Sequence, residues 1–75
     1  QVLEFHEKLQ ELRKSRGLTQ EELAEALFVS RTAISKWESG RGYPSIDSLK
    51  EISSYFSVSI DDLLSGEQLI FIAEK

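Results

Sequence analysis

Apolar residues recur at intervals of three and four along most of this chain, and each series is bounded by residues that suit a helix end. Phe5, Leu9 and Leu12 predict a first helix over about Leu3–Ser15, with Lys8, Glu11 and Lys14 facing outward. Gly17 stops it, and Arg13, Lys14 and Arg16 place positive charge at its C-terminus. A second helix opens at Thr19. That residue is a good N-cap, and Glu22 stands three positions on, which makes a reciprocal capping box. Leu18 and Leu23 occupy the staple positions around the cap, and Leu23, Ala24 and Leu27 form the stripe to be buried. A third helix begins after the N-cap Ser30, with Val29 and Ile34 as its staple, and ends at Gly40 as a left-handed residue. Arg41-Gly42-Tyr43-Pro44 is a loop. A fourth helix follows Ser45, with Ile46, Leu49, Ile52 and Phe56 expected on one face. A short fifth has Ser59 as cap, Asp62 completing another capping box, Val58 and Leu63 as staple, and Gly66 as its end. The remaining segment, Glu67 to Lys75, contains the apolar run Leu69-Ile70-Phe71-Ile72-Ala73, which is expected to pack on the body or on a second subunit.

The third helix has a divided surface. At about 100° per residue, Ala33, Ile34 and Trp37 share an inner arc of about 100°, while Arg31, Thr32, Ser35 and Lys36 occupy an outer arc of about 140°. A helix whose one face is locked into a core while the other offers short or cationic donors can enter the major groove of DNA.

The net charge of −4 points the other way, since phosphate neutralisation drives most nucleic-acid binding. Its distribution changes the picture. Between Phe28 and Ser45 the charged residues are Arg31, Lys36, Glu38 and Arg41, a local balance of +2. The acids gather elsewhere, at Glu4, Glu7 and Glu11, at Glu21, Glu22 and Glu25, and at Asp61 and Asp62. An acidic body with one basic face predicts weak nonspecific affinity and strong salt dependence.

With 75 residues the chain makes one domain with a small core, and it has no cysteine to brace it by a disulfide or a thiolate metal site. The lack of cysteine fits a cytoplasmic location. No secretory signal is expected from QVLEFHEK, and Leu69–Ala73 is far too short to span a bilayer. The absence of an initial Met fits a trimmed chain or part of a longer protein. His6-Glu7 evokes a zinc-protease helix, but Gln10 stands where the second His is needed. Gly40-Arg41-Gly42 lacks the phosphate-loop pattern. No catalytic residue, metal, cofactor or small-molecule site is therefore expected, and the chain is not expected to be an enzyme.

Three segments carry a resemblance: Leu18-Thr19-Gln20-Glu21-Glu22-Leu23-Ala24, Val29-Ser30-Arg31-Thr32-Ala33-Ile34-Ser35-Lys36-Trp37-Glu38-Ser39-Gly40, and Tyr43-Pro44-Ser45. With their spacing, residues 9–64 resemble the lambda-repressor-like helix-turn-helix domain of the phage repressor and Cro superfamily, the XRE family. The resemblance implies an all-α, compact five-helix domain with the helix-turn-helix at its second and third helices. It also implies binding to operator DNA as a two-fold dimer. Residues 1–66 are expected to form the DNA-binding domain, and 67–75 a dimerisation segment or the start of a linker.

Under this resemblance Arg31 reaches a guanine edge or a phosphate, and Thr32 and Lys36 are recognition positions one turn apart, with Ser35 between them. Gln20 is expected to touch the DNA backbone, as are Ser30, Ser39, Arg41 and Tyr43. Such contacts orient a protein without reading sequence. Thr19 and Glu22 serve the cap, Trp37 belongs to the core, and an Arg13–Glu38 ion pair is implied. Phe28 departs from the pattern, which has glycine there. Either the turn is rearranged, or packing of the ring offsets the strain of a left-handed residue. The function expected is a sequence-specific, double-stranded-DNA-binding transcriptional regulator acting as a homodimer on a pseudo-palindromic operator. The acidic total and apolar tail motivate a second reading, a protein-interaction module or an antitoxin-type partner-binding protein.

Overall fold

A computed structural model describes residues 3–64 as five helices: α1 (Phe5–Ser15), α2 (Gln20–Leu27), α3 (Arg31–Glu38), α4 (Ile46–Phe56) and α5 (Ile60–Leu63). The expected end of the last helix at Gly66 and the apolar segment 67–75 lie outside the described residues. Among the described residues there is no strand, and no helix is long and apolar enough to cross a membrane.

The helix starts follow side-chain chemistry. Thr19 Oγ1 accepts the Glu22 N–H at 3.0 Å while the Glu22 carboxylate accepts the Thr19 N–H at 2.8 Å, so two amides with no partner inside the helix are satisfied reciprocally. Ser30, Ser45 and Ser59 accept from Ala33, Ser48 and Asp62 in the same way. At Ser59 only this half of the expected box forms, because the Asp62 side chain is one methylene shorter than that of Glu22. The first helix starts at Phe5 rather than near Leu3, since Glu4 and Glu7 form a capping box there.

Phe5 and Leu9 of α1, Leu23, Ala24 and Leu27 of α2, Ile34 and Trp37 of α3, and Leu49, Ile52 and Phe56 of α4 make one buried cluster, closed by Leu63 and Leu64. Full burial of such side chains contributes about 1.5–3 kcal/mol each, which is what holds short helices of marginal intrinsic stability in place. Ile46 departs from the expected face and is 46% exposed. It lies roughly 90° around α4 from the centre of the Leu49–Ile52–Phe56 stripe, at the edge of what the neighbouring helices cover.

The turn joining α2 to α3 keeps a left-handed residue at Phe28, with φ 58° and ψ 42°. Its backbone N–H and that of Val29 return to Glu25 and Ala24, closing α2. The ring is 91% exposed, so packing does not offset the backbone strain. The turn retains the geometry that a glycine would give it.

Candidate nucleic-acid interface

The orientation of α3 is set from its inner side. Ile34 is fully buried and Trp37 nearly so, and Ser30 Oγ holds the first turn by accepting the Ala33 N–H at 3.1 Å. With that arc against α1 and α2, Arg31, Thr32 and Lys36 stand exposed and Ser35 half-buried. Among the described residues, nothing engages the side chains of Arg31, Thr32 or Lys36 in a hydrogen bond or ion pair, so their donors face solvent. Ser30 is exposed but its oxygen is occupied as a cap.

The opposite end of α3 is fixed by a charged network. Glu38 is buried, at 7% exposure, on the last turn of the helix. Arg13 of α1 grips it in a fork: Nε donates to Oε2 at 2.7 Å and Nη2 to Oε1 at 3.0 Å. The remaining arm, Nη1, donates to the Leu18 carbonyl at 2.8 Å and ties down the α1–α2 connection. Hydrogen bonding to Glu38, assisted by its charge and opposed by burial, raises the Arg13 pKa above the ordinary arginine value. A planar fork of this kind supplies geometric definition that a lysine would not.

Gln20, the first residue of α2, joins the same carboxylate. Its Nε2 donates to Glu38 Oε1 at 3.1 Å. The sequence reading placed Gln20 beside DNA and Glu38 beside Arg13 but did not connect them. The only hint was chemical: a carboxylate has more acceptor positions than one arginine fork uses.

Beyond α3 the chain turns at Gly40, whose φ is +78°, and a Cβ built there would meet the His6 ring at 3.5 Å. Arg41 then folds back along the helix. Its backbone N–H donates to the Lys36 carbonyl at 3.0 Å, its Nε to Ser39 Oγ at 2.8 Å, and its Nη2 makes a long bond of 3.5 Å to Ser35 Oγ. Ser39 Oγ in turn donates to the Lys36 carbonyl at 3.1 Å. The structure thus brings Arg41, Ser39 and Ser35 together on the solvent side of α3, adjoining Lys36. Tyr43 sits farther along the loop at 38% exposure, with its ring 5.9 Å from that of Phe5.

The result is a short exposed helix carrying Arg31 and Lys36, flanked by Arg41, on a body whose exposed α2 face bears Glu21, Glu22 and Glu25. A projecting helix flanked by donors at two heights suits a grooved polyanion better than a flat or concave ligand site.

Comparison with known proteins is consistent with this geometry. The helix-turn-helix family model matches residues 9–63. The chain is 69% identical over 72 residues to the HTH-type transcriptional activator BcrR of Enterococcus faecalis, a match covering 96% of this chain and 35% of that protein. It is 38% identical over 60 residues to the HTH-type transcriptional regulator DdrOP3 of Deinococcus deserti, covering 80% of this chain and 46% of that one. The chain therefore spans less than half the length of either relative. Among solved structures, its fold matches the P22 c2 repressor in complex with synthetic operator 9T at a TM-score of 0.80 and 31% identity, over 85% of this chain and 97% of that one.

Proposed function

This chain belongs to the XRE-type helix-turn-helix family of phage repressors and their relatives, and we propose that it binds double-stranded DNA sequence-specifically to regulate transcription. The observation that carries this reading is the exposed outer face of α3, anchored from behind by Ile34 and Trp37. In this reading α3 enters the major groove with its N-terminal half. Arg31 pairs with a guanine edge, Thr32 meets a thymine methyl, and Lys36 and Ser35 complete the base contacts. Gln20, Ser30, Ser39, Arg41 and Tyr43 hold the sugar-phosphate backbone and fix the register. Two relatives bear the names of transcriptional regulators, and the P22 c2 repressor was solved with an operator; both support the proposal.

The operator is a pseudo-palindrome bound by a homodimer, with the two copies of α3 about 34 Å apart, one turn of DNA. Residues 1–66 form the DNA-binding unit and 67–75 contribute to the dimer or lead into a linker. The apolar groove between α1 and α5, lined by Leu12, Val58 and Leu63 with Lys8 and Asp62 at its edges, supports placing the dimer contact there. Binding to the genome implies a cytoplasmic site of action. Selection of bound duplexes from a random-sequence library tests the proposal. A two-fold symmetric consensus with half-sites one turn apart is expected. Recovery of unenriched sequence would overturn it in favour of a protein-binding module.

A further inference from the structure

We infer that Glu38 acts as a positioning residue for DNA-backbone contact, by holding the Gln20 carboxamide with one N–H turned toward the duplex. The inference rests on the DNA-binding reading above and adds to it a link between the core ion pair and the interface.

The Glu38 carboxylate is acceptor-only, and its Oε1 already receives Arg13 Nη2 at 3.0 Å. The Gln20 side chain approaches that same oxygen at 3.1 Å. Were the amide turned the other way, two oxygens would face each other with no proton between them, so the NH2 end must point at Glu38. One of its two protons is thereby used. A phosphate has only acceptors to offer, so Oε1 of Gln20 has no attractive contact with it. The second Nε2–H is the one group on this side chain that can serve the backbone. A solvated glutamine would present that proton only in a fraction of its rotamers. One fixed by a nearly buried carboxylate, itself fixed by a bidentate arginine, presents it continuously, and the ordering cost is met on folding rather than on binding.

The placement in the fold strengthens the case. Gln20 begins α2, and Glu38 ends α3. The bond between them therefore ties the start of one interface helix to the far end of the other. Arg13 extends the tie to α1 and, through Leu18, to the loop that delivers Gln20. The backbone-contacting side chain and the recognition helix are registered against one common carboxylate.

The test is a double-mutant cycle on binding to a mixed-sequence DNA duplex at low salt, held well below the melting temperature of every variant. Backbone contact by Gln20 is sequence-independent, so no operator is needed. Gln20→Met, which keeps the side-chain length and removes the donor, is expected to weaken binding by about three- to tenfold. The slope of log K against log salt stays unchanged, because a neutral donor releases no counterion. Glu38→Gln is expected to weaken binding by a similar factor in the wild-type background and to have no further effect once Gln20 is Met. A role of Glu38 confined to stability would give no binding loss at this temperature, and a role in seating α3 alone would give multiplicative losses; either result would overturn the inference. A second measurement does not depend on the variants folding. In the wild-type protein, one of the two Gln20 Nε2 protons observed by NMR is expected to be slowed in solvent exchange before duplex is added, and the other to shift once duplex is present. Exchange of both protons at the rate of a solvated glutamine in the DNA-free protein contradicts the inference. Failure of the wild type to bind any duplex overturns the DNA-binding reading and this inference with it. Binding with an unlocked Gln20 overturns this inference alone.

Discussion

Phe28→Gly is expected to stabilise the domain, and the structure allows its magnitude to be worked out. Phe28 sits at φ 58° and ψ 42°, a region where a Cβ costs about 1–2 kcal/mol. The ring is 91% exposed, so deleting it removes almost no buried apolar area. The hydrogen bonds that close α2, from the N–H groups of Phe28 and Val29, belong to the backbone and survive the change. Glycine also frees the unfolded chain, which returns about 0.4–1 kcal/mol. The net gain falls between about 0 and 1.6 kcal/mol and centres on about 0.8 kcal/mol, or about 3–6 °C in melting temperature for a domain of this size. Urea unfolding followed by circular dichroism measures it, with the midpoint rising and the denaturant slope unchanged. Phe28→Ala is the control. It removes the ring but keeps the Cβ, and is expected to stay within about 0.5 kcal/mol of the parent. Equal stabilisation by Ala and Gly would place the cost in the exposed ring rather than the backbone. Destabilisation by Gly would show that the left-handed backbone at Phe28 carries no strain.

Other consequences follow from the same geometry. Thr19→Ala removes the acceptor for the Glu22 N–H and should cost about 0.5–2 kcal/mol in urea titration, with Thr19→Ser losing far less. Arg13→Met leaves the Glu38 charge unpaired in a nearly buried site and should cost about 3–5 kcal/mol. Because Glu38 raises the Arg13 pKa, the stability this cation contributes is fully present below the ordinary arginine range and lost only as pH climbs through the raised value. Titration of Arg13 should therefore leave the parent's stability unchanged across neutral pH. Deletion of residues 67–75 should lower the dimer population in sedimentation, and an unchanged distribution would remove that segment from the dimer contact.

The parts of the fold that were legible in the sequence are those governed by local chemistry. Thr19 with Glu22, and Ser30, Ser45 and Ser59, announce helix starts because a cap needs only its own next three residues. The inner arc of α3 was legible from periodicity, since a 3.6-residue repeat places Ile34 and Trp37 together whatever they pack against. What escaped depended on neighbours. Ile46 falls outside the buried stripe because coverage at the edge of α4 is set by the helices beside it. The Arg13–Glu38 pair came from resemblance alone, and the Gln20 bond to the same carboxylate requires knowing how the start of α2 meets the end of α3. Arg41 reads in sequence as a phosphate contact, but its position back over Ser39 and Ser35 was not legible there, because the loop after Gly40 sets it.

If the exposed side of α3 reads base edges, Arg31→Ala separates specific from nonspecific binding. Dissociation constants for the parent and the variant would be measured on a library-selected duplex and on a scrambled duplex of equal length, at one fixed salt concentration. If Arg31 pairs with a guanine, the loss on the selected duplex should exceed that on the scrambled one by about 1–3 kcal/mol, or about 5- to 150-fold. Equal losses on the two duplexes would show that Arg31 touches phosphate alone and would contradict base reading by this side of α3.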